Sequence, residues 1–218
     1  MNVFKPSTLS LVAAILLLPF AFGTSGVAAV PVISSDRAAV LETQMALRDL
    51  WVEHVFWIRS YVLATHSRDA TQARIAETEV VANAKTLAGT IAPFYGQSAA
   101  DGLLKLLAGH WGAVRDYNTA TLASSKSGQE KALAVLTANA HAIGKFLSGA
   151  NPYLPENVVF GLFAAHGAHH VAQITQISAG NFHDEAATWH AMRHHMLVIS
   201  DAIADALSRQ YPARFQKK

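Results

Sequence analysis

The sequence predicts an all-α fold, an antiparallel bundle of six helices, on three observations. From Asp36 onward apolar residues recur at intervals of three and four, as Leu47, Leu50, Trp51, His54, Ile58, Tyr61 and Val62 do on one face. Alternating β-branched runs, which would mark strands, are absent. Breakers then divide the chain into six stretches of helical length. Ser67–Ala70 ends the first, Pro93–Gln97 the second, Ser124–Gly128 the third, Asn151–Pro155 the fourth and Gly180–Asp184 the fifth, while the sixth runs to Pro212. Only turn-length connections separate these stretches, which favours antiparallel neighbours in one domain spanning 30–218.

The residues before the domain read as a secretory signal peptide, 1–29. Lys5 supplies a positive start, Leu9–Phe22 an apolar run interrupted by Ser10 and Pro19, and Gly23–Ala29 a small, polar end. Val27 and Ala29 occupy the positions a signal peptidase reads, so cleavage is expected after Ala29. The run falls short of the roughly 20 residues a membrane span requires, so no stable membrane insertion is expected after cleavage. The absence of a cysteine excludes a lipoprotein anchor. The expected location is the periplasm or the exterior.

Composition narrows the chemistry. The chain is 51% apolar and 15% charged, which excludes disorder, and its formal charge of +2 provides no basic stripe for duplex nucleic acid. No Cys is present, which rules out disulfides, thiolate zinc sites, Cys nucleophiles and covalent c-type haem attachment. The unusual count is 11 His.

Their positions follow an internal repeat. A shift of 56 residues superimposes Leu50 on Leu106 and Leu162, and His54 on His110 and His166. Arg59 meets Arg115, Tyr61 meets Tyr117, and Ala82-Asn83-Ala84 meets Ala138-Asn139-Ala140, with His195 in the third copy of the Asn position. Asp69, Ser125 and Asn181 all fall in turns. The expected building block is a helical hairpin, present three times, with a polar residue in the middle of each helix. His54, Asn83, His110, Asn139, His166 and His195 all lie within apolar stripes and should point inward at one level of the bundle. Buried polar groups without partners cost about 1–3 kcal/mol each, so such a layer must satisfy itself, bind water or bind something else.

Two readings of the layer stand open. Alternating His and Asn could form a hydrogen-bonded network that only fixes helix packing, in a non-catalytic structural or interaction protein. Alternatively, neutral imidazoles could meet at a transition-metal ion, Zn, Cu, Fe or Ni, or at another small ligand. His54, His110 and His166 are then the core ligands, with Glu53, His170, His190, His194 and His195 as further candidates. The last two helices hold seven of the 11 His, including the i, i+4 pairs His166/His170 and His190/His194. Haem has no supporting motif. The Glu-x-x-His of ferritin-like di-iron bundles, the Gly-x-Ser-x-Gly elbow, the Walker loop and the dinucleotide fingerprint are all missing, and no catalytic motif is found. Trp51, Phe56, Trp57, Trp111 and Trp189 read as core and helix-contact material. Arg48, Arg59 and Arg115 are expected to be solvated or paired with acids such as Asp49 and Asp116.

The stretch Leu47-Arg48-Asp49-Leu50-Trp51-Val52-Glu53-His54-Val55-Phe56-Trp57-Ile58-Arg59 resembles the opening of a family of small exported bacterial helical-bundle proteins with no assigned activity. Pro93–Gly96, Leu104–His110, Ala150–Pro152 and the closing Ser200–Pro212 resemble the same family. The resemblance implies an exported helical bundle and extends to Glu53, His54, Asn83, His110, Asn139 and His166. Where His190 stands the family tends to carry Asp, which leaves the role of His190 open.

Overall fold

The computed structural model describes residues 35–216; the expected signal segment and its cleavage point lie outside them. Six long helices pack together: α1 (Ser35–His66), α2 (Ala70–Gly89), α4 (Gln97–Leu122), α5 (Lys126–Ala150), α6 (Glu156–Ser178) and α7 (Phe182–Gln210). The one-turn helix α3 (Ala92–Tyr95) forms at the Pro93–Gln97 breaker, where Pro at the start of a turn loses no hydrogen bond, and a 3-10 turn at Pro212–Arg214 follows α7. No strand occurs among the described residues, and no helix among them is long and apolar enough to cross a membrane.

Three of the connections are built alike. Helices α1, α4 and α6 end at His66, Leu122 and Ser178, and α2, α5 and α7 begin at Ala70, Lys126 and Phe182. In each link one residue takes a positive φ: Arg68 at 62°, Ser124 at 51° and Gly180 at 69°. The residue that follows returns its N–H to a carbonyl five positions back, as Asp69 to Ala64, Ser125 to Ala120 and Asn181 to Gln176. Its side chain then caps the next helix: Asp69 accepts from the Gln72 N–H at 2.9 Å, Ser125 from Gly128 at 3.2 Å and Asn181 from Asp184 at 3.4 Å. In each link a helix stop in the left-handed region is followed at once by an N-cap, so the three linking residues keep little freedom.

The helix contacts close into a ring. Helix α2 packs against α1 and α4, α5 against α4 and α6, and α7 against α6 and α1, while α6 also reaches α1 and α4 across the centre. The buried apolar residues separate into two clusters. One gathers Leu47, Trp51, Val55, Leu103, Leu107 and Phe163; the other gathers Ile58, Val62, Trp111, Val114, Leu136 and Ile174. On α4 and α6 the change from one cluster to the other falls at His110 and His166/His170, and on α1 it falls just past His54, between Val55 and Ile58, so imidazoles stand near the boundary of the two clusters.

Long-range polar contacts hold the helices in register. Arg48 donates from Nε and Nη2 to both oxygens of Asp201 at 2.7 and 2.6 Å, Arg59 does the same to Glu185 at 2.6 Å twice, and Arg115 pairs with Glu77 at 2.9 Å. None pairs with the adjacent Asp49 or Asp116 through a hydrogen bond: neighbours in sequence point to different helix faces, whereas the partners found lie on packed helices. At one end Tyr95 donates to Gln210 at 2.6 Å and accepts from Asn151 at 3.0 Å, while Gln210 donates to the Ala150 carbonyl. That cluster ties together the Pro93–Gly96, Ala150–Pro152 and Ser200–Pro212 stretches.

Candidate functional site

Four histidines converge near the boundary of the two clusters. His54 comes from α1, His110 from α4, and His166 and His170 from successive turns of α6. Each is between 0 and 2% exposed, and one ligand atom from each lies within 4.8 Å of the others. Among the described residues this is the group of His, Cys, Asp or Glu side chains that comes together tightly enough to surround one ion. His110 and His166 stack at 5.0 Å between ring centroids, His54 lies 5.7 Å from His166 and 6.4 Å from His110, and the Nε2 atoms of His166 and His170 approach to 3.2 Å.

The walls of the cluster explain its protonation state. Trp51 and Phe163 meet His166 edge-on, and Trp51 also meets His54. Burial in these apolar surroundings pushes the His54 imidazole down to about 3, with His110 adding to the effect, and burial pushes His110 down to about 4. His166 and His170 lie well below the ordinary histidine range, through burial first and the neighbouring rings second. All four rings are therefore neutral at pH 7, the form in which imidazole ligates metals. Both ring nitrogens of His54 and of His110, and Nδ1 of His166, are buried without a hydrogen-bond partner in the protein.

Behind each of three rings stands a residue from the next long helix, pinned the same way. Asn83 donates from Nδ2 to the Leu50 carbonyl at 3.0 Å, Asn139 to the Leu106 carbonyl at 2.9 Å, and His195 Nε2 meets the Leu162 carbonyl at 2.8 Å. Leu50, Leu106 and Leu162 each stand four residues before His54, His110 and His166. Gly109 makes room for one of these contacts, since a Cβ there would come within 3.2 Å of Asn139 Nδ2. The Asn83 side chain opposes the downward shift of His54, and Asn139 opposes that of His110, although neither amide oxygen reaches a hydrogen bond of good geometry.

The other expected site residues fall outside the four. Glu53 is exposed and accepts from Asn83 Nδ2 at 2.9 Å, bracing that residue rather than facing the rings. His195 is half-buried beside His169, with ring centroids 5.4 Å apart. His190 and His194 lie exposed on α7. The six-member polar layer is thus divided: His54, His110 and His166 face one another, while Asn83, Asn139 and His195 turn to backbone carbonyls. His170 joins the facing set because an i, i+4 step from His166 keeps it on the same side of α6.

Sequence reasoning passed over the Arg59–Glu185 pair. Glu185 is 1% exposed and also accepts from Gln173 at 2.9 Å, so its carboxyl stays below the usual range: burial alone would raise it, and the Arg59 and Gln173 hydrogen bonds outweigh that. A surface cleft of about 560 Å³ on α1 and α7, lined by Met45, Arg48, Asp49, Val52, Arg193 and Leu197, includes none of the four histidines. No protein-family model, curated protein or solved structure matches the chain.

Proposed function

We propose that this chain is an exported helical-bundle protein that holds one transition-metal ion at His54, His110, His166 and His170. The observation that carries the reading is the convergence of four neutral, buried imidazoles within 4.8 Å, with both ring nitrogens of two of them unpartnered. Metal–nitrogen bonds of about 2.0–2.1 Å in a tetrahedron set nitrogens about 3.4 Å apart, so small side-chain movements would close the shell. The donor set of imidazole alone suits Zn, Cu, Ni or Fe. Asn83 and Asn139, pinned through Nδ2, keep their amide oxygens as acceptors for a ring N–H, which would fix the tautomer and turn the other nitrogen toward the ion. With Zn, four protein ligands would fill a tetrahedral shell and leave no position for substrate, which suits binding or sensing over catalysis.

The architecture behind the site is read as three antiparallel helical hairpins of one ancestral type. Support comes from the 56-residue spacing of the links, caps and side-chain-to-carbonyl bonds, and from the ring of helix contacts. The signal-peptide layout of 1–29 supports export, and the Leu47–Arg59 motif supports membership of the exported bundle family.

A purely structural network accounts for the His166–His170 contact and the His195–Leu162 bond, but it leaves the ring nitrogens of His54 and His110 without partners. The test is metal content of the tag-free protein by mass spectrometry, with thermal melts in the presence and absence of chelator. An ion at about 100 times its Kd stabilises the folded state by about 2.7 kcal/mol, so chelation should lower the melting temperature. A metal-free protein whose melting temperature ignores added Zn, Cu, Ni and Fe would overturn the reading.

A further inference from the structure

The four-histidine cluster is closed to solvent on every side, so any ion must travel to it, and the three seams around it are not alike. Behind His54 and His110 stand the amides of Asn83 and Asn139, whereas behind His166 stands an imidazole, His195. His195 is half-buried and acts electrostatically on both His166 and His169. His169, also half-buried, sits 5.4 Å from His195 between ring centroids, acts on His170, and is held by the Ala165 backbone one turn before it. Helix α7 also carries His190 and His194, both exposed and one turn apart.

The positions 56 residues away lack these additional imidazoles. Positions equivalent to His169 hold Trp57 and Ala113, those equivalent to His190 hold Thr78 and Ala134, and those equivalent to His194 hold Ala82 and Ala138. Exposed, half-buried and buried imidazoles therefore all occur on α6 and α7, and neither equivalent set of positions carries the exposed and half-buried ones.

We propose that the α6–α7 seam is the route by which a transition-metal ion enters and leaves the buried site, with His169 and His195 as the exchange pair between solvent and the four ligands. This rests on the four-histidine reading. The step is ligand exchange: an imidazole nitrogen replaces a bound water or another imidazole, the displaced group departs with its lone pair, and no electron changes hands. His169 and His195 would hold the ion only in passing. The imidazole nitrogens of His169 and His195 supply the donors for that step, while the Asn side chains of the other seams offer a harder amide oxygen that binds such ions less well.

The experiment uses Co(II), followed by its visible absorption in a stopped-flow instrument on entry into tag-free, metal-free protein, and by the reverse reaction with excess chelator. His195→Asn installs the residue of the other two copies and can keep the bond to the Leu162 carbonyl; His169→Gln removes the second imidazole. Both variants should bind the same number of ions with unchanged Kd while uptake and release slow together. Unchanged rates in both variants would overturn the route. A 10–100-fold loss of affinity with a proportionally faster release, as expected of a residue that holds or orients the bound ion, would also overturn it. Wild-type protein that takes up no Co(II) or Zn(II) at equilibrium would instead remove the four-histidine reading, and the route with it.

Discussion

His166 and His170, one turn apart on α6, bring their Nε2 atoms to 3.2 Å, whereas His54 and His110, on different helices, have no hydrogen-bond partner for either ring nitrogen. The cluster is therefore uneven in what each ring contributes to the metal-free fold.

Replacing His54 by Leu removes two unpartnered buried nitrogens and supplies an apolar side chain of similar bulk between Trp51 and Ile58. Because an unsatisfied buried polar group costs about 1–3 kcal/mol, the metal-free variant should melt at or above the wild-type temperature. Under the metal reading, the same variant should lose the stabilisation by Zn(II) that the parent shows. Differential scanning calorimetry with and without Zn(II) checks both halves, and a metal-free variant several degrees less stable would show that His54 has partners the structure does not reveal.

Acid should destabilise the metal-free protein early. In the unfolded chain a histidine titrates near 6.5, but in the folded protein His54 titrates at about 3 and His110 at about 4. Between those limits the unfolded state binds more protons, so the stability contributed by the neutral rings is full above about pH 6.5 and falls as pH falls, by roughly 1 kcal/mol per unit for each ring. His166 and His170 act in the same direction. Urea midpoints between about pH 8 and 5 should decline steeply below 6.5, and the slope should shrink in His110→Leu; a flat profile would refute the burial of neutral rings.

Arg59→Ala should be severe because it leaves Glu185, 1% exposed, with only Gln173 as a donor. Loss of one partner of a buried ion pair costs about 3–5 kcal/mol, and the half-buried position of Arg59 places this case at the lower end. Arg59→Lys should recover only part, since Lys cannot reproduce the two parallel bonds. A double-mutant cycle with Glu185→Gln, read by urea unfolding, isolates the coupling.

The three links predict opposite effects of glycine. Arg68 and Ser124 occupy the left-handed region that Gly180 fills in the third link. Arg68→Gly and Ser124→Gly should each stabilise by about 0.5–1 kcal/mol, and Gly180→Ala should destabilise by about 1 kcal/mol. Chemical denaturation of the three variants checks the signs.

Helix existence and the breakers were legible in the sequence because periodicity and turn chemistry act over a few residues: the stops near Ser67, Ser124 and Gly180 fall where local backbone preference puts them. The 56-residue spacing of His54, His110 and His166 was legible too, and these three lie together in the buried cluster. Which rings end up together depends on how each helix is rotated against its neighbours, and that is set by packing of whole faces. The pairs His166/His170 and His190/His194 have the same i, i+4 spacing, yet the first is buried in the cluster and the second lies in water. Asn83, Asn139 and His195 stand 56 residues apart and bond to carbonyls of a neighbouring helix, a partner no local pattern specifies. The arginine partners Asp201, Glu185 and Glu77 are likewise 153, 126 and 38 residues away. The sequence by itself determined the helices, their turns and the polar positions; the tertiary structure alone decided which of those polar groups face each other, because burial and partner are properties of two surfaces in contact.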